Sequence, residues 1–128
     1  MNTSQPFVIF SVYETKNSDN YNRARHLAFR EWLTDEDIPF VECQGVYKGE
    51  SEQCFLLADD ERGLQVAENA ANTYGQESIL LVDANKAATL VYRDGTREPI
   101  GVWTSFDLEE GNEPDSYTIH KGRTYRCI

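Results

Sequence analysis

The chain has 128 residues, 40% of them apolar, which is the length of one domain with enough apolar content for one core. Its 22 acidic and 12 basic residues give a formal charge of −10. That balance argues against a nucleic-acid backbone or an anionic membrane as partner and favours cationic ligands.

Phe7-Val8-Ile9-Phe10-Ser11-Val12-Tyr13 is rich in β-branched and aromatic residues and reads as a buried first strand. Asn17, Ser18 and Asp19 supply helix-start chemistry. From there to about Leu33, Tyr21, Ala24, Leu27, Ala28 and Trp32 recur every three or four residues and predict one apolar face. Pro39 helps to close that unit. Residues 38–46 read as a second strand, and Cys54-Phe55-Leu56-Leu57-Ala58 as a third. Between them lies Gly45-Val46-Tyr47-Lys48-Gly49-Glu50-Ser51-Glu52-Gln53, polar and punctuated by glycine, which reads as a loop hung from a sheet. Tyr47 and Glu52 give that loop an aromatic face, a hydroxyl and a carboxylate, although an ordinary solvated connector could carry the same residues.

Asp59-Asp60-Glu61 places negative charge at the start of a second helix, where the helix dipole favours it. Leu64, Ala67, Ala71 and Tyr74 predict its buried face, Glu68 beside them reads as solvated, and Gly75 as the C-terminal stop. Ser78-Ile79-Leu80-Leu81-Val82 is a fourth strand. A hairpin follows around Asp94-Gly95, whose returning strand Pro99 restricts to an edge or to a short length. The acidic residues 107–115 read as a loop, and a terminal hairpin turns at Lys121-Gly122. Strands alternating with two helices and then hairpins predict an α+β fold of the ferredoxin-like kind, a mostly antiparallel sheet with two helices on one face. The other sheet face would stay partly apolar, so self-association is expected to cover it.

No phosphate-binding glycine loop, dinucleotide fingerprint or nucleophile elbow is present. His26 reads as a structural hydrogen-bonding residue and His120 as exposed at a hairpin turn. Cys43, Cys54 and Cys127 are odd in number and form no Cys-x-x-Cys pair, which predicts reduced thiols and neither a disulfide framework nor a zinc site. No metal and no cofactor are expected. Met1-Asn2-Thr3-Ser4-Gln5-Pro6 has no basic region followed by an apolar stretch, and no apolar run approaches the ~18 residues of a membrane span. A soluble, cytoplasmic protein is expected.

In one order along nearly the whole chain stand the Phe7-Val8-Ile9-Phe10-Ser11-Val12-Tyr13 strand, Asn20-Tyr21-Asn22-Arg23-Ala24-Arg25-His26, Gly45-Val46-Tyr47, Leu64-Gln65-Val66-Ala67 with Ala71-Asn72, Leu90-Val91-Tyr92, Ser105-Phe106, Tyr117-Thr118-Ile119 and Gly122-Arg123. Collinear as they are, they resemble the small phage S-adenosylmethionine hydrolases, better described as lyases. The resemblance implies a single lyase domain over residues 1–128, in a trimer similar to the nitrogen-signalling PII proteins, with substrate between subunits. It implies that Tyr47 and Glu52 are the catalytic and substrate-binding pair. The loop here is shorter than the family's, which leaves Glu50 as a competing carboxylate. Ser105, Phe106 and the turn at residues 75–78 are candidate pocket lining. The implied reaction is attack of the substrate's own carboxylate on its γ-carbon, releasing 5′-methylthioadenosine and L-homoserine lactone, in the service of phage counter-restriction. Three other readings stand beside it: a hydrolase giving homoserine, a non-catalytic PII-like module that binds an adenine ligand, and an acidic nucleic-acid mimic.

Overall fold

The computed structural model describes residues 4–128; Met1, Asn2 and Thr3, part of the stretch read for a leader, lie outside the described residues. Its elements are β1 (Phe7–Phe10), α1 (Asp19–Asp35), β2 (Val41–Tyr47), β3 (Glu50–Ala58), α2 (Glu61–Thr73), β4 (Ser78–Val82), β5 (Ala87–Tyr92), β6 (Arg97–Phe106), β7 (Ser116–His120) and β8 (Arg123–Cys127). The strand order is β1-β3-β2-β7-β8-β6-β5-β4, every pairing is antiparallel, and β4 pairs back onto β1 to close a barrel of eight strands.

The closed barrel overturns the open-sheet expectation of a ferredoxin-like, PII-like fold. The reason lies in the two faces of β1 and β3, both apolar. Val8, Phe10, Phe55 and Leu57 pack outward under the helices with Leu33, Ala67, Ala70 and Ala71. Phe7, Ile9, Cys54 and Leu56 point the other way, into a second cluster with Cys43, Val82, Ala88, Trp103 and Cys127. Strands on all sides supply that second cluster, so it is the barrel interior, filled by side chains as expected for about eight strands. An apolar run such as Phe-Val-Ile-Phe demands cover on both faces but does not say what provides it. Here the chain's own later hairpins cover the inner face, and the helices cover the outer face of β1 and β3.

Both helices start as their sequences predict. Ser18 caps α1 by accepting from the Tyr21 N–H, and Asp60 caps α2 by accepting from the Gly63 N–H at 2.7 Å. Gly75, at φ +66, ends α2 with Gln76 N–H donating to the Ala71 carbonyl. The buried face of α1 differs from the predicted one. Asn22, His26 and Leu33 are buried with Phe29 partly so, while Tyr21, Leu27 and Trp32 are exposed. Asn22 tolerates burial because its amide bonds both the N–H and the carbonyl of Glu14, and His26 because Nε2 meets Glu42 Oε1 at 2.9 Å while the ring stacks on Phe55.

Two strand details also depart from expectation. β6 is ten residues long and lies between β5 and β8, neither short nor an edge. Pro99 fits because the register slips beside it, Ala88 facing Gly101 but Thr89 facing Pro99, so that Ile100 is an extra, bulged residue. His120 does sit at the Lys121-Gly122 turn but is buried, 8% exposed. No helix among the described residues is long and apolar enough to cross a membrane.

Candidate active site

The nine-residue loop expected at residues 45–53 is a hairpin. Lys48 and Gly49, at φ +49 and +82, form a two-residue turn, and pairing resumes at once with Tyr47 opposite Glu50 and Gly45 opposite Glu52. Positive φ at both turn positions gives the twist that lets β2 and β3 continue as a ladder to the tip. The tip is held from the side by Lys48 N–H donating to the Asp115 carbonyl at 2.7 Å. A flexible excursion is thereby replaced by a rigid one in which side-chain direction is fixed by strand alternation.

That alternation decides which residues share a face. Cys43 and Cys54 are cross-strand partners inside the barrel, so Gly45 and Tyr47 on β2, with Glu52 and Glu50 on β3, point to the same inner side, progressively nearer the rim. Tyr47 is 61% exposed at the mouth. Glu52 is half-buried one step deeper, diagonal to Tyr47 and within cross-strand reach of it. Gly45 opposite has no side chain, and a Cβ there would stand 3.2 Å from Cys54 Sγ and 3.9 Å from Glu52 Cγ. Burial pushes the Glu52 carboxyl above the ordinary glutamate range. No cation is paired with it among the described residues, whose ion pairs join Lys16 and Arg25 to Glu14, and His26 and Arg30 to Glu42. A desolvated carboxylate without a counter-charge, next to an exposed ring, has the chemistry that a small organic cation would complement.

The other candidate residues are not gathered at this point. Following register from Glu52, the row on the inner face runs Gly45, Thr118, Tyr125, Ser105, so Ser105 is four strands away around the wall. Phe106 points to the outside, edge-on to Tyr117 at 6.0 Å with the Arg126 guanidinium 4.9 Å above its ring. The turn at residues 75–78 reaches Tyr13, whose carbonyl accepts from Gln76 Nε2. Tyr13 itself stands near Glu52: burial raises its phenol, Arg23 opposes the rise, and the charges of Asp19 and Glu52 add to it. Nothing in the sequence singles out Thr118, Tyr125 or Tyr13 as site residues. Only the pairing register and the chain's return past β3 bring them to this end of the barrel.

Two surface grooves, of about 180 and 100 Å³, open elsewhere, and neither is lined by Tyr47 or Glu52. Each is below the roughly 300 Å³ at which enclosed small-molecule sites begin.

The profile of the S-Adenosylmethionine lyase family matches residues 8–128. A comparison with curated proteins returns no match.

Proposed function

The chain belongs to the S-adenosylmethionine lyase family and degrades S-adenosylmethionine, and from that premise we propose that it does so by cyclising the substrate on itself, with Glu52 and Tyr47 holding the reactive conformer. S-adenosylmethionine carries a sulfonium cation, an ammonium and a carboxylate. One oxygen of that carboxylate attacks the γ-carbon, the bond from γ-carbon to sulfur breaks, and its electron pair neutralises the sulfonium. 5′-Methylthioadenosine leaves and L-homoserine lactone remains. No proton, metal or external nucleophile enters the balance. What the protein contributes is orientation, an effect worth up to about 7 to 11 kcal/mol in ideal intramolecular cases.

The observation that carries this reading is the half-buried, uncompensated carboxylate of Glu52 diagonal to the Tyr47 ring. Glu52 accepts hydrogen bonds from the substrate ammonium, and the Tyr47 ring lies against the cationic region, a contact worth about 0.5 to 2 kcal/mol. Glu50 shares the inner-facing side but is exposed at the tip, opposite Tyr47, so Glu52 is the better anchor for a group that must be desolvated. Neutralising a carboxylate against a sulfonium is favoured where water is excluded. Tyr47 is too exposed in one chain to exclude it, which supports a site completed by neighbouring copies in a homotrimer. Consumption of the methyl donor in a host cytoplasm would serve phage counter-restriction.

The test is incubation of purified protein with S-adenosylmethionine and mass spectrometry of early products. Methylthioadenosine with homoserine lactone is expected. Homoserine appearing first would mean attack by water, with Glu52 as general base. Retention of S-adenosylmethionine unchanged would leave a binding module, or, if restriction enzymes are captured instead, an acidic mimic.

A further inference from the structure

The larger groove, about 180 Å³, opens on the outside of the barrel between α2 and the hairpin of β4 and β5. Its floor is apolar: Ala71, Ile79 and Val91 all belong to or pack on the outer core. Glu68 and Asn72, one helical turn apart on α2, line one side, and Arg93, at the end of β5, lines the other. Glu68 and Arg93 have opposite charge and face one cavity, yet they do not pair with each other, and among the described residues neither has any other ionic partner. Arg93 is held at that station through its backbone, its N–H donating to the Glu77 carbonyl at 3.3 Å.

We propose that this groove is a second ligand site, which takes a free α-amino acid with a short, apolar or weakly polar side chain. The two walls ask for a molecule with both charges. An ammonium fits against the Glu68 carboxylate and the Asn72 amide oxygen, and a carboxylate fits the fork of the Arg93 guanidinium. The side chain then rests on the apolar floor. A lone anion or a lone cation would engage one wall only and leave the other charge to solvent. The groove, about 180 Å³, is smaller than the roughly 300 Å³ typical of sites that enclose a whole drug-sized ligand, and suits a small molecule. This site shares no residue with Tyr47 and Glu52, so it goes beyond the reaction proposed above and stands or falls separately from it.

The test uses the full chain carrying Glu52→Gln, which weakens amino-acid binding at the barrel mouth, titrated with L-methionine and L-homoserine by calorimetry. Saturable binding is expected, weakened about tenfold by Glu68→Gln and again by Arg93→Gln. The corresponding 2-hydroxy acid and the corresponding amine, each lacking one charged group, should bind about tenfold more weakly than the amino acid. Glu68 and Arg93 are exposed, so neither change disturbs the core. Absence of saturable binding at millimolar ligand, or binding unchanged in both variants, would overturn the proposal.

Discussion

Glu52 combines two properties that pull in opposite directions. Its carboxylate must be ionised to hold a cation, yet burial without a counter-charge penalises that ionisation and raises its pKa above the unfolded glutamate value. Between those two pKa values the folded state binds more protons than the unfolded state, so stability falls as pH rises through the window and stays lower above it. Glu52→Gln should therefore melt higher than the parent at neutral pH, with the difference vanishing as pH falls below the ordinary glutamate range. Turnover should fall about 10²-fold or more, by analogy with loss of one buried electrostatic contact to a transition state. The parent's activity should decline on the acid side at a pH above that of an ordinary glutamate. A fully active Glu52→Gln protein would move the role to Glu50, and one less stable than the parent at neutral pH would overturn the account of an uncompensated buried charge at Glu52. On the proposed reading the Tyr47 ring and not its hydroxyl meets the cation, so Tyr47→Phe should keep most activity while Tyr47→Ala loses about tenfold, the scale of one exposed cation–π contact.

The elements owe their placement to contacts at their ends. Gly63, in the first turn of α2, is there because a Cβ would stand 2.1 Å from the Ala58 carbonyl oxygen at the end of β3. Gly63→Ala should cost about 3 kcal/mol, as overpacking of a rigid backbone contact does, whereas Asp60→Ala and Ser18→Ala should each cost about 1 kcal/mol through a lost cap; thermal or urea melts of the three variants would rank them. The caps, the Gly75 stop and the Lys121-Gly122 turn were legible in the sequence because each rests on local chemistry within four residues. The face of α1 was not. Asn22 and His26 are polar and stand off the predicted apolar stripe, yet both are buried, Asn22 against Glu14 and His26 against Glu42 and Phe55, and no periodicity contains those partners. The hairpin of β2 and β3 reads as a loop in the sequence although Lys48-Gly49, at φ +49 and +82, is the same turn as Lys121-Gly122, at φ +50 and +75: the polar run Glu50-Ser51-Glu52-Gln53 that follows it carries no strand-like apolar pattern.

At the scale of the whole molecule, closure of the barrel changes the reason that assembly would need. Sequence alone placed Tyr47 and Glu52 near each other and read both faces of β1 as apolar, but left the second face for another copy to cover. Non-local pairing of β4 with β1 and of β2 with β7 supplies that cover instead, and neither pairing has a local signal. A closed wall removes most strand edges and leaves only stretches that outrun their neighbours, such as residues 50–54 of β3 beyond β1. Side-chain surfaces would carry most of any contact between copies, and the large apolar groups exposed for it are Tyr47 at the mouth, Tyr21, Leu27 and Trp32 on α1, and Val102, Leu108 and Ile128. With a formal charge of −10 on each chain, association works against mutual repulsion, which salt screens over about 10 Å at 0.1 M. If the site is completed by neighbours, specific activity should fall on dilution in step with a drop in mass from three chains to one, and added salt should shift both transitions to lower protein concentration. Light scattering and activity measured on the same dilution series decide it: a single chain that keeps full activity would mean that Glu52 and Tyr47 need no neighbour, and that water exclusion comes from the substrate alone.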